Sequence, residues 1–274
     1  MNLKHVLAAL AGIAGLGALA YARRIEPGVV DVKPLRLALK RLDPAFDGFR
    51  IVHIGDIHWG RWMDGARLAT IIALVNAQGP DLVAITGDFV SEFGSYDSAA
   101  LAAALRGLRS REATVAVLGN HDYWGPRGAD PVRRLLSNAV CTLRRGDAAL
   151  HIAGVDDVVF QRARLDRVLA ALPADGAAIL LAHEPDFADI SAATGRFDLQ
   201  LSGHSHGGQV RLPWLGAPIL PKHGHRYPDG LYWVNGMLQH TTRGLGVANL
   251  PVRFNCRPEI AVITLRARLR KPRL

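Results

Sequence analysis

Hydrophobic residues along this chain fall into short, nearly unbroken runs, each stopping abruptly at a glycine or a polar residue. Residues 49–54, 82–86, 113–118, 177–182 and 197–201 are such runs, and their length and apolar density predict buried strands. Between them, residues 66–75, 99–108 and 162–172 carry apolar positions at helical spacing. Alternation of strand and helix is the pattern of an α/β fold. A further strand is predicted at 30–39, and beyond residue 208 the pattern changes to short β segments at 209–211, 231–234 and 261–265. An α/β half leading into a β-rich half predicts two packed sheets flanked by helices. No repeat, low-complexity tract or long Pro/Ser-rich linker interrupts this series, so residues 25–265 are expected to form one domain.

The residues at the end of each run carry more chemistry than the run itself. The first run leads into Gly55-Asp56-Ile57-His58, the second into Gly87-Asp88 and the third into Gly119-Asn120-His121-Asp122. The fourth ends in His183-Glu184-Pro185 and the fifth in Gly203-His204-Ser205-His206-Gly207-Gly208-Gln209. Sites in open α/β sheets lie beyond the carboxyl ends of the strands, so these side chains are expected to converge there. If the strand continues past residue 54, Asp56 and His58 share one face. Imidazole, carboxylate and amide oxygen together make a mixed nitrogen and oxygen donor set, which suits Mn, Fe or Zn better than a thiolate-seeking ion.

The ordered series Asp-x-His, Gly-Asp, Gly-Asn-His-Asp, His, Gly-His-x-His resembles the calcineurin-like metallophosphoesterases over about residues 49–265. The uninterrupted Gly-His-Ser-His-Gly-Gly-Gln, the 30–39 strand, residues 251–254 and 258–260, and the apolar N-terminus are similar to the membrane-associated bacterial phosphodiesterase branch. That branch includes a type of UDP-2,3-diacylglucosamine pyrophosphatase. The resemblance implies a four-layer αββα sandwich holding two divalent metal ions. It assigns Asp56, His58 and His206 to one ion, Asn120, His183 and His204 to the other, and Asp88 as the bridge. It further implies hydrolysis of a phosphodiester or pyrophosphate by a metal-bridging hydroxide, with UDP-2,3-diacylglucosamine the most specific substrate candidate. His121 matches the histidine that contacts the phosphoryl group and assists the leaving oxygen, and Asp122 beside it is expected to orient that imidazole and favour its protonated form. A generic envelope phosphodiesterase and a phosphoprotein phosphatase are the alternatives. A non-catalytic scaffold of this fold fits poorly, because the ligand series is intact.

The rest of the chain bears on location and substrate. Residues 6–22 are almost entirely Ala, Leu, Gly, Ile and Val, enough to cross only about 25 Å of membrane as a helix. Ala20-Tyr21-Ala22 also satisfies the small-x-small pattern of a signal-peptidase site, so an apolar signal-anchor helix and a cleaved signal peptide both fit residues 1–24. Arg23 and Arg24 favour the anchor with the catalytic domain on the cytoplasmic side of a bacterial inner membrane; export after cleavage is the alternative. The net charge of +9, with a basic tail at 266–274, suits anionic lipid headgroups and a phosphate-containing, lipid-linked substrate. No aromatic residue interleaves that tail, so no nucleic-acid partner is expected. Arg243 is a candidate contact for substrate phosphate, and Trp59, Trp62, Tyr123 and Trp124 could wall a pocket for a base or acyl chain. His223 and His225 imitate a ligand pair outside the family pattern, and His53, inside a strand, reads as a satisfied core residue. Cys141 and Cys256 accompany no ligand cluster and read as packing residues.

Overall fold

The computed structural model describes residues 3–60, 62–91, 97–124, 132 and 134–268, with backbone alone for 3, 6–11, 13 and 14. Its first sheet contains β1 (Asp31–Leu39), β2 (Arg50–Ile54), β3 (Leu82–Thr86), β4 (Ala113–Val117) and β11 (Glu259–Ala267), in the order β1-β11-β2-β3-β4. The second contains β5 (Ala139–Arg145), β6 (Ala148–Gly154), β7 (Ala177–Leu181), β8 (Leu199–Ser202), β9 (Gly230–Val234) and β10 (Met237–Thr241), in the order β5-β6-β7-β8-β10-β9. Pairing is parallel from β2 through β4 and from β6 through β8, as the alternation with helices requires. β11 returns antiparallel against β2, and β1 lies parallel to β11 at the edge.

Side-chain alternation places the layers. In β3, Leu82 and Ala84 enter an apolar cluster shared with Ile179 and Leu181 of β7, so the two sheets pack face to face. Val83 and Ile85 point the other way, onto Leu68, Ile71 and Val75 of α2 (Gly65–Ala77) and Leu101 and Leu105 of α3 (Ser98–Leu105). Ala178 and Leu180 of β7 likewise face Val168 of α4 (Leu165–Ala171) and Ala188 and Ala192 of α5 (Ala188–Ala193). Helix, sheet, sheet, helix is the expected sandwich. Because the inner strands are covered on both faces, they read as continuous apolar runs.

Two terminal expectations change. The N-terminal segment forms α1 (Leu3–Arg24), but among the described residues no helix is long and apolar enough to cross a membrane. At the other end, β11 runs to Ala267, two residues into the expected tail. There Arg266 pairs with Asp47 at 2.8 Å and the Ala267 amide donates to the same carboxylate. Residues 269–274 lie outside the described residues. The predicted 209–211 strand reduces to a single bridge between Val210 and Phe254.

Candidate metal centre

Strands β2 and β3 of the first sheet deliver their ligand-type residues through a backbone reversal rather than by extension. β2 ends at Ile54, and Asp56 and His58 both lie in the left-handed region, with φ of 50° at each. They therefore do not share a strand face. Two turns bring them together, because the Asp56 amide donates to the Gly87 carbonyl and the His58 amide to that of Asp88. Asp88, His204 and His206 are left-handed as well, with φ of 51°, 70° and 52°. Each such residue costs about 1 kcal/mol or more, a strain that accumulates at this one place.

The turns gather two overlapping groups: Asp56, His58, Asp88 and His206, and Asp88, His183 and His204. Within each, one donor atom per residue lies within 4.8 Å of the others, and all are buried. Asn120 completes the second group, its Oδ1 lying 3.0 Å from His204 Nδ1. Asp88 Oδ2 is central, 3.6 Å from His58 Nε2, 3.3 Å from His183 Nε2 and 4.0 Å from His121 Nε2. His58 Nε2 and His206 Nε2 approach to 3.0 Å, and His206 Nε2 lies 3.6 Å from Asp56 Oδ1.

Backbone carbonyls aim the imidazoles. His183 Nδ1 donates to the Thr86 carbonyl at 2.6 Å and His204 Nε2 to that of Lys222 at 2.8 Å, which turns the opposite ring nitrogen of each toward the centre. Burial pushes the pKa of His58 and of His204 down to about 3, which keeps both rings neutral. Burial also raises Asp56, to about 7, against the opposing pull of His183. Asp56 Oδ1 accepts from the His204 amide at 2.7 Å, but Oδ2 is buried with no hydrogen-bond partner. Burial would raise Asp88 too, yet the charges of His183 and His121 outweigh it and hold this carboxylate well below its usual range. Two buried carboxylates, one with an orphaned oxygen, among imidazoles of which His58, His204 and His206 are held neutral by burial form a donor set that fits divalent cations.

Glycines make the approach possible. A Cβ on Gly119 would sit 2.3 Å from Asp88 Oδ1, and one on Gly203 would sit 2.5 Å from Asp56 Oδ2. We expect Gly119→Ala to displace Asp88 and cost about 1–3 kcal/mol by overpacking. Urea unfolding and bound-metal analysis check it; an unchanged midpoint with full metal content would count against the close fit.

His121 lies beside the ligands, half-buried, its ring edge-on to His58 at 4.7 Å between centroids. Asp122 does not play the part expected of it. One carboxylate oxygen accepts from the Phe89 and Val90 amides at 2.8 and 3.3 Å and the other from Gly119 at 2.9 Å, while His121 Nδ1 has no partner. Asp122 sits in a tight turn over Asn120–Tyr123, where its carboxylate reaches backbone amides more readily than a neighbouring ring. It clamps two ligand-bearing loops together and makes no hydrogen bond to the His121 ring.

The candidate substrate contacts are also engaged elsewhere. Arg243 pairs with Glu259 and Asp31, each at 3.0 Å. Tyr123 donates its hydroxyl to Asp156, and Arg162 lies over its ring at 4.7 Å. Trp59 and Trp62 pack against the apolar cluster beneath α2 and α3, leaving Trp124, on Phe160, as the exposed aromatic of this set. His223 and His225 stay out of both ligand groups, although the preceding Lys222 carbonyl holds His204. His53 is buried and bonded to Thr86 and His240. Cys141 and Cys256 are unpaired.

Sequence reasoning passed over one polar residue with a large role. Arg253 is fully buried behind His206, its guanidinium 3.4 Å from His206 Nδ1. Its only signal was membership of the 251–254 segment, with nothing to say that the cation points inward.

A fold of this kind, with ligand groups at strand ends, defines a metallophosphoesterase. Residues 49–208 match the family model of the calcineurin-like phosphoesterases, and the chain belongs to that family. It is 34% identical over 271 residues to the metallophosphoesterase YkuE of Bacillus subtilis (strain 168), covering 95% of this chain and 94% of YkuE. It is 30% identical over 274 residues to the phosphodiesterase YaeI of Escherichia coli (strain K12), covering 96% and 97%. The transmembrane protein with metallophosphoesterase domain of Danio rerio is 30% identical over 261 residues, 88% of this chain but 57% of that protein. The chain is accordingly a metal-dependent hydrolase of phosphoesters.

Proposed function

We propose that this protein is a dinuclear phosphodiesterase acting on a phosphodiester or pyrophosphate bond, with Asp88 shared between two divalent ions. The observation that carries this is the central Asp88 carboxylate, common to both buried ligand groups. Asp56, His58 and His206 would hold one ion, and Asn120, His183 and His204 the other. Bound there, Mn, Fe or Zn would supply Lewis acidity, generating a hydroxide nucleophile at neutral pH and neutralising phosphoryl oxygens. His183 and His204, aimed by the Thr86 and Lys222 carbonyls, keep their donor atoms fixed through the reaction. His121, its amide bonded to Asp88 Oδ1 at 2.9 Å, stands where an imidazole can meet the phosphoryl group and give a proton to the leaving oxygen.

We expect His121→Ala to keep its metal and lose about 10²-fold in kcat, the ordinary contribution of one general acid. Metal analysis beside single-turnover kinetics checks this, and full turnover with metal bound removes His121 from the chemistry.

The substrate reading is a phosphodiester carried by a lipid at a membrane. Its supports are the apolar composition of 6–22, the net charge of +9 and the relatives named transmembrane. UDP-2,3-diacylglucosamine is the specific compound to test. Its hydrolysis with Mn²⁺, beside bis(p-nitrophenyl) phosphate and p-nitrophenyl phosphate and with Asp88→Ala as control, separates the readings. Asp88-dependent release of UMP supports the lipid substrate. Cleavage of the simple diester alone keeps the reaction class and removes that compound. Cleavage of the monoester alone favours a phosphatase.

A further inference from the structure

The chain that follows the last ligand, His206, leaves the body of the protein and exposes apolar side chains at its tip. It departs after His206 and returns at Lys222, whose carbonyl fixes His204. Leu212 and Gly216 exchange backbone hydrogen bonds at 2.8 and 2.9 Å, closing a tight hairpin. Trp214 at the tip is fully exposed, and Leu215 and Ile219 are 70% and 79% exposed. The hairpin is well rooted: Phe254 accepts from the Arg211 amide and donates to the Gln209 carbonyl, and the Gln209 side chain ties the segment to Ala248 and Leu250.

Its neighbour is the end of α1. The Arg253 amide donates to the Ala22 carbonyl at 2.8 Å, and Tyr21, Pro213 and Phe254 line one cavity of about 550 Å³. On α1 itself Leu16 and Leu19 are exposed, so apolar surface is present on both the helix and the hairpin. Exposed Arg23, Arg24 and Lys222 flank it, and none of them forms an ion pair among the described residues. A projecting tryptophan with aliphatic neighbours and a cationic margin matches the layered chemistry of a bilayer surface, with acyl chains beneath anionic headgroups. A convex apolar tip on a two-residue-wide hairpin is a poor seat for a folded protein partner, which needs a broad complementary face.

We propose that the Leu212–Gly216 hairpin with Ile219 is a wedge that docks the metal centre onto an anionic lipid bilayer. Because the wedge is rooted at His206 and Lys222, docking sets the centre at the headgroup level, where a lipid-borne phosphodiester would lie. The inference rests on the membrane-substrate reading above for its purpose, and on the hairpin for its geometry.

The test uses the full chain with vesicles of phosphatidylethanolamine and phosphatidylglycerol bearing brominated acyl chains, which quench tryptophan on contact. Trp214 is one of five tryptophans, so emission should fall by roughly a fifth or more. Trp214→Phe should abolish most of that quenching whether or not α1 also holds the membrane. A triple variant, Trp214→Asp, Leu215→Asp and Ile219→Asp, should hydrolyse bis(p-nitrophenyl) phosphate within about twofold of the parent. Quenching undiminished in Trp214→Phe overturns the wedge. So does emission that responds to protein concentration but not to brominated lipid, which would mean that a second copy covers the hairpin. If the metal-loaded parent cleaves no phosphodiester, the catalytic reading fails, while the quenching result still decides the wedge.

Discussion

Asp88→Asn is expected to lower kcat/KM toward a phosphodiester by about 10³-fold or more, equivalent to about 4 kcal/mol of transition-state stabilisation. Size is conserved by this substitution, so packing is not the cause. What changes is charge. Asp88 Oδ2 faces the Nε2 atoms of His58, His183 and His121 at 3.3–4.0 Å, and Oδ1 accepts from the His121 amide. An amide can keep the second contact but offers no negative charge between the two ligand groups. The buried positive charge that Asp88 balances, that of His183 first, would then lack its carboxylate, a costly arrangement. Metal content measured after dialysis should fall alongside turnover. Activity within tenfold of the parent would show that the two groups do not depend on a shared carboxylate.

Much of this centre was legible in the sequence because the physics that makes strands also positions ligands. Strands covered on both faces must be apolar throughout, so Gly55, Gly87, Gly119 and Gly203 mark where each ends and where chemistry can begin. The manner of convergence was not legible. Extension predicts a shared face for Asp56 and His58, whereas both adopt left-handed backbone that no residue pattern announces for aspartate or histidine. The role of Asp122 was misjudged for a similar reason, since adjacency in sequence suggests an interaction with His121 and the turn sends the carboxylate to backbone amides. β10 was missed because Gln239, His240 and Thr241 are buried polar residues, and the run therefore lacks the apolar density of a core strand. The β5–β6 hairpin carries half-buried side chains along β5, which weakens its periodicity. Arg243 looked free for substrate only until β11 and β1 brought Glu259 and Asp31 beside it.

Arg253→Met is expected to destabilise the fold by about 3–5 kcal/mol, the usual consequence of breaking a buried charged network by removing one member. The guanidinium donates to the Gly246 carbonyl at 2.6 and 3.0 Å, to Cys256 at 3.0 Å, to Arg243 at 2.8 Å and to Gly244 at 3.3 Å. Methionine fills comparable volume but leaves these carbonyls without their donor in a site closed to water. The damage should reach the metal centre, because the amides of Leu245 and Gly246 hold the Gly55 and Asp56 carbonyls at 3.0 and 2.7 Å. Loosening this loop therefore loosens Asp56. Burial lowers the pKa of Arg253 from its ordinary value, but guanidinium is effectively always protonated in proteins, so its cation is present throughout the working pH range. Arg253→Lys should recover only part of the loss, since an ammonium cannot reproduce a planar fork spread over four carbonyls. Thermal unfolding should show Tm falling by roughly 10 °C for methionine and by less for lysine. If both variants unfold with the parent, the carbonyl cage closes without its cation, and the order of the loop behind His206 must come from the backbone bonds of residues 244–246 alone.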